Sequence, residues 1–134
     1  MTGKRLTKED IRNASGILNP VGHIVLGFPN DSVTAEAVAA LRAAGFAAED
    51  ILTYTASEAT ARLRERVETA SQAAGFGYEI TLMRRFLALA EEGCGWSIVY
   101  APDDASAGRV TEVARRLGAK CAVRYHRLAN EDLI

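Results

Sequence analysis

The sequence predicts a mixed α/β domain: a ferredoxin-like plait of two β-α-β halves, with a four-stranded antiparallel sheet and a helical hairpin inserted between the halves. Three observations lead there. The chain overlays itself without a gap at a shift of 73 residues, where Pro29 falls on Pro102, Asp31 on Asp104, Arg42 on Arg115 and Gly45 on Gly118. Each copy reads in the same order: apolar run, PxD corner, amphipathic segment, glycine, second apolar run. The segment between the copies, 57–92, carries two helical stripes. The period is too long and the copies too few for a solenoid, so two β-α-β units in one domain is the simpler architecture.

Residues 1–20 are polar and mixed in charge. They read as a flexible arm, or as one short helix capped at Thr7, ahead of a single domain over 21–134. "IVLGF" (24–28) and "SIVYA" (97–101) are the leading strands of the two halves. After each, a proline holds the chain extended, and Asp31 or Ser32, then Asp103 or Asp104, stands where a helix N-cap is needed. In 32–44 the stripe is Val33, Ala37, Val38, Leu41 and Ala44; in 105–117 it is Val110, Val113, Ala114 and Leu117. Three-and-four spacing buries one face of each helix. Gly45 and Gly118 follow, where a helix end calls for positive φ. "DILTYT" (50–55) and "VRYHRL" (123–128) are the second strands. In the middle, Ala59, Leu63, Val67 and Ala70 mark one helix with Ser57 as its cap, and Leu82, Met83, Phe86, Leu87 and Ala90 mark the next. "GFG" (75–77) breaks them apart.

The helix count decides the topology. Two helices bring the chain back to the end it left, so strand 94–101 runs antiparallel to 50–55 and the order is 4-1-3-2. Were 57–92 a single crossover, the sheet would be parallel and doubly wound. That alternative would gather Asp31, Asp103 and Asp104 on one edge, as a metal- or carboxylate-dependent enzyme requires. The plait sends the two corners to opposite ends and makes them helix caps. The leading strands are apolar on both faces: Ile24, Leu26 and Phe28 against Val25, and Trp96, Ile98 and Tyr100 against Val99 and Ala101. Something must cover the second face. The 57–92 hairpin and a second copy of the chain are the candidates, and a homodimer is expected.

Composition narrows the function. The net charge is −1 and charged residues make up 25% of the chain, so a basic field for nucleic acid is absent. Trp96 and Tyr100 lack the basic and aromatic neighbours of an RNA-reading strand. No apolar run approaches a membrane span, the first twenty residues lack a secretory h-region, and a cytoplasmic protein is expected. Cys94 and Cys121 are too few for a zinc site, and as starts of strands separated by a third they lie roughly 10 Å apart, beyond disulfide reach. "GCGW" (93–96) lacks the adjacent His or Lys of a reactive thiol. No nucleophile elbow, phosphate loop, zinc-protease helix or dinucleotide loop occurs, so no catalytic residue, metal or cofactor is expected. His23 reads as a satisfied strand-end residue. Arg62, Arg64 and Arg66 alternate with glutamates and read as a solvated face. The candidate polar contacts are Tyr78, Arg84, Arg85, Arg124 and His126, around a cleft where the hairpin meets the sheet, with a small anion as the ligand.

The stretch "GHIVLGFPNDSVTAEAVAALRAAGFAAEDILTYT" resembles the opening β-α-β of the bacterial general-stress (heat-induced stress) protein family, over about 21–55. "VTEVARRLGAKCAVRY" echoes it in the second half, and the middle segment departs from it by being longer and more helical. The resemblance implies a small cytosolic domain in a stress-related setting and no catalytic set. The combined expectation is a non-enzymatic, dimeric stress-related or ligand-sensing module.

Overall fold

A computed structural model describes residues 5–13, 20–71, 77–127 and 129–134, without the side chains of 12, 13, 71 and 77–79. In chain order the elements are α1 (Lys8–Asn13), β1 (His23–Phe28), α2 (Asp31–Ala43), a 3₁₀ turn (Ala48–Asp50), β2 (Ile51–Tyr54), α3 (Ala56–Ser71), α4 (Gly77–Glu91), β3 (Gly95–Tyr100), α5 (Asp104–Arg116), β4 (Cys121–Tyr125) and β5 (Asn130–Asp132). The sheet has five strands, not four, in the order β2-β3-β1-β4-β5. Every neighbouring pair is antiparallel. A parallel, doubly wound sheet is therefore excluded.

The duplication is visible at the helices. Both α2 and α5 begin 73 residues apart, as do their caps, Asn30 and Asp103. The first cap differs from the expected Asp31 or Ser32: the Asn30 side chain accepts from Val33 N at 2.9 Å. An amide oxygen serves here because capping needs an acceptor and not a charge. Asp103 takes the equivalent bond from Ser106 N at 2.7 Å. Gly45 and Gly118 both have positive φ, 105° and 69°. Each lets the chain fold back, Phe46 N donating to Leu41 O at 3.1 Å and Ala119 N to Ala114 O at 2.9 Å. The halves diverge after these glycines. A 3₁₀ turn precedes β2, whereas β4 starts at Cys121, so His126 lies beyond the strand and not within 123–128 as expected. A turn closed by His126 N on Ala129 O then starts β5.

Period-two alternation splits the sheet between two cores. On one face Ile24, Leu26, Phe28 and Val99 pack against Ala37 and Leu41 of α2 and Val110, Val113 and Ala114 of α5. Leu133 docks on this side, while Ile134 is exposed. On the other face Val25, Trp96, Ile98, Cys121, Val123 and Tyr125 pack against Ala59 of α3, Leu82 and Phe86 of α4, and Ile11 of α1. Of the two candidates for covering this face, the hairpin is the one that does so. Its first helix is capped at Thr55 and not at Ser57: Glu58 N donates to Thr55 Oγ1 at 3.1 Å and Thr55 N to Glu58 Oε1 at 3.0 Å. Of the expected N-terminal arm, the described residues hold a short helix with Thr7 as its cap, the Asp10 amide donating to Thr7 Oγ1.

Gly27 is a point of close approach. It lies opposite Trp96 in the β1–β3 register. A Cβ there would stand 2.9 Å from Cη2 and Cζ3 of the indole and 3.1 Å from Cys121 Sγ. Both neighbours are buried and cannot swing away. Gly27→Ala is expected to lower stability by about 1–3 kcal/mol through overpacking. Asn30→Ala is expected to cost about 1 kcal/mol through the lost cap. Urea unfolding followed by circular dichroism checks both, and unchanged midpoints would contradict these two assignments.

Candidate functional site

The five residues singled out from sequence are divided by the sheet. Tyr78 lies on the α4 backbone with its side chain outside the described residues. Arg84 is exposed on α4. Arg85, also on α4, pairs with Asp132 of β5 at 3.1 Å, on the hairpin side. Arg124 lies on the opposite face, with Nη1 2.9 Å from Asp104 at the start of α5. Glu131 stands across the β4–β5 pair from Arg124 and takes His126 Nε2 at 2.9 Å. The structure brings Arg124 and His126 to one edge, as alternation suggested, but keeps them from Arg85. Each of Arg85, Arg124 and His126 already pairs with a carboxylate of the chain's own, which weakens its claim on an incoming anion.

The PxD carboxylates do not converge either. β1 and β3 are antiparallel, with His23 opposite Tyr100 and Phe28 opposite Gly95, so the two corners lie at opposite ends of the sheet. Asp31 accepts from Ala56 N at 2.9 Å and ties the start of α2 to the start of α3. Asp103 caps α5, and its hydrogen bonds from Ser106 hold its pKa below the usual carboxylate value. Among the described residues no three His, Cys, Asp or Glu side chains stand together as a metal site. The thiols are also poorly placed for chemistry. Burial raises the pKa of Cys94, and pushes that of Cys121 up to about 12. Neither forms a disulfide, and neither supplies a thiolate near neutral pH.

What the fold does build is a cavity of about 70 Å³ between the sheet, the hairpin and α1. Its floor is Val25, Trp96 and Ile98 of the sheet; Phe86 of α4 and Ile11 of α1 close its sides; Arg62 and Arg66 of α3 stand in its wall. The Phe86 and Trp96 rings meet edge-on at 5.3 Å, a favourable aromatic arrangement. The indole rests with its six-membered ring over Gly27, which leaves the pyrrole Nε1–H at the other part of the ring. Trp96 is 4% exposed. Its Nε1–H has no hydrogen-bond partner among the described residues. A buried donor left without an acceptor costs about 1–3 kcal/mol, so this position stands out in the lining.

Charge alternation along 57–71 reads Arg62, Arg64 and Arg66 as one solvated face. Only Arg64 behaves that way, pairing at the surface with Glu91 of α4. Residues 59, 62, 63 and 66 share one side of α3 by three-and-four spacing, and that side faces the sheet. Had the arginines been phased against Ala59 and Leu63, their place beside the core would have been legible. The part played by Ile11 had no such signal, because it depends on how the N-terminal segment docks.

That docking uses polar contacts of several kinds. Arg5 pairs with Asp50 at 2.9 Å, the Lys8 ammonium lies 4.6 Å from the centre of the Tyr54 ring, and Arg66 donates to the Ile11 carbonyl. His23, 1% exposed, is the innermost contact. Its Nε2 accepts from Leu6 N at 3.1 Å, and Nδ1 lies 3.1 Å from Val21 O. This pairing requires the neutral Nδ1–H tautomer, since a protonated ring has no acceptor for Leu6. Burial lowers the His23 pKa below its ordinary 6.5, with the Val21 and Pro20 carbonyls and the Asp50 carboxylate pulling the other way. The Tyr100 ring packs beside it at 5.1 Å.

A pH dependence follows. As pH falls below 6.5 the unfolded chain takes up the proton before the folded one does. The stabilisation from neutral His23 is complete above that value and is lost as pH drops toward the folded-state pKa. The melting temperature is expected to fall between about pH 7.5 and about pH 5.5, and to fall less in His23→Gln. That window lies above the range of Asp103 and Glu58, whose backbone hydrogen bonds hold their pKa values low. Equal slopes in the two proteins would show that His23 is not the group responsible.

Comparison with protein-family models, with curated proteins and with solved structures finds no match to this chain.

Proposed function

We propose that this protein is a non-enzymatic small-molecule-binding module. In this reading it is a ferredoxin-like plait extended by one edge strand, and the helical hairpin inserted between its halves closes a ligand cavity against the sheet. The 2-3-1-4 order of the first four strands and their antiparallel directions support the architectural part. The observation that carries the functional part is Trp96: a buried indole N–H without a partner among the described residues, on a residue that lines the cavity. Natural interiors rarely leave such a donor unsatisfied. A ligand with an apolar body and one oxygen acceptor would satisfy it and fill the space together.

In this reading the site is the cleft at the hairpin–sheet junction, with Trp96, Arg62 and Arg66 as its polar groups, since Arg85, Arg124 and His126 are engaged elsewhere. A stress-related setting remains part of the proposal on the strength of the resemblance over 21–55. A homodimer loses its original rationale, since α3 and α4 occupy the face the second copy was to cover.

Trp96 is the only tryptophan, so its emission reports directly on the cavity. Titration with 1-hexanol or phenol is expected to shift or quench that emission saturably. Calorimetry on Trp96→Phe is expected to show roughly 2- to 10-fold weaker binding, the loss of one neutral hydrogen bond. An emission that ignores every small apolar alcohol tried, with a folded protein by circular dichroism, would overturn the proposal.

A further inference from the structure

We propose that the cavity selects a small apolar carboxylate, and that residues 5–13 act as a plug which such a ligand displaces. This inference rests on the cavity being a ligand site.

The argument begins with Arg66. Its guanidinium is half-buried beside the cavity and donates to the carbonyl oxygen of Ile11. An oxygen acceptor joined to an apolar side chain therefore already occupies the site, supplied by the chain itself. Ile11 places its sec-butyl group among Trp96, Phe86 and Ala59, and is only 4% exposed. This residue imitates the two ends of an apolar carboxylate: an alkyl body in the cavity and an oxygen on the arginine. The imitation is imperfect in charge, because a peptide carbonyl is neutral.

The charges around the mouth favour replacing that carbonyl by an anion. Arg62 lines the same wall one helical turn before Arg66. Burial and the Arg62 cation both push the Arg66 pKa down, with Glu65 and Tyr54 only partly offsetting them. Two guanidiniums stand beside an apolar lining, with Glu58 near Arg62 and Glu65 near Arg66, and a carboxylate in place of the Ile11 carbonyl would give Arg66 an ionised acceptor. A charge-assisted hydrogen bond is roughly twice as strong as a neutral one. Size leads to the same mechanism. The free space of about 70 Å³ is less than half the roughly 150 Å³ of a cavity that takes benzene. A ligand with a useful apolar body must move something, and Ile11 is the wall contributed by the shortest helix. The segment is held by the buried Ile11 side chain, the Arg66 bond to its carbonyl, the His23 imidazole and the Arg5 and Lys8 contacts, none of which is a hydrogen bond of the sheet.

The test compares hexanoate, 1-hexanol and hexylamine, matched in chain length and different in head group, near pH 7.5 where hexanoate is ionised. Binding is read by Trp96 emission and by calorimetry on the full chain. Hexanoate is expected to bind roughly tenfold more tightly than 1-hexanol, and hexylamine more weakly than either. In Arg66→Gln, which keeps a donor for the Ile11 carbonyl but no charge, the preference for hexanoate is expected to collapse to about equal affinity. Ile11→Ala is expected to tighten hexanoate and 1-hexanol alike, since a competing side chain is gone. Hydrogen exchange at the Leu6 and Ile11 amides is expected to quicken when hexanoate binds. If 1-hexanol binds as well as hexanoate, the carboxylate class is wrong while the ligand site stands. If none of the three binds to wild type or to Ile11→Ala, the site itself is wrong. If hexanoate binds and the two amides stay protected, the plug is wrong.

Discussion

β1 is a strand that cannot face water on either side, and the rest of the molecule is arranged around that constraint. All six of its residues are buried. Ile24, Leu26 and Phe28 belong to one core and Val25 to the other, with Gly27 giving up its side-chain volume to the Trp96 indole. Each large apolar side chain fully buried in this way stabilises the fold by roughly 1.5–3 kcal/mol relative to exposure. An antiparallel sheet with helices on one face would forfeit that on the other. The duplication supplies helices for only one face, because the two β-α-β crossovers place α2 and α5 on the same side. The second layer had to come from outside the repeat, and α3 and α4 are that insertion.

The inserted layer is not a copy of the first, and the difference explains where a cavity arises. α2 and α5 pack through small residues, Ala37, Ala107 and Ala114, which let the helices sit close to the sheet. On the other side the sheet presents Trp96, Tyr54 and Tyr125, and α4 answers with Phe86. Large flat rings fill space less evenly than methyl groups. Arg62 and Arg66 of α3 stand in the wall of the space left between them, and Ile11 from the N-terminal segment closes another side. The proposed ligand site is thus a by-product of covering a sheet face with aromatic side chains, including an indole whose N–H has no acceptor among the described residues.

Charges are used mainly to hold elements in place. Asp31 ties α2 to α3, Asp104 ties α5 to β4 through Arg124, and Asp132 ties β5 to α4 through Arg85. Pairs as exposed as these contribute little individually, about 0–1 kcal/mol. They nonetheless occupy most of the cations that a sequence reading would offer to an anion. The arginines at the cavity differ in being beside apolar surface, where a charge is less well screened and a partner of opposite sign matters more.

The sequence by itself determined the repeat, the six helical and strand segments it implies, and the antiparallel direction of the sheet. These follow from local causes: residue periodicity, caps, helix-ending glycines and the parity of two helices between the halves. It also pointed to the hairpin–sheet junction, where the structure has a cavity. Details that depend on neighbours in space were decided only by the tertiary structure. The acceptor that caps α2 is Asn30 because of where the chain leaves β1. The fifth strand exists because the turn after β4 aims Asn130–Asp132 back along the sheet edge. Above all, which arginines face the cavity was settled by the packing of α3: charge patterning along 57–71 is the same whether a given arginine points to water or lies along the core. Long side chains can do either at little local cost, so only the completed fold decides.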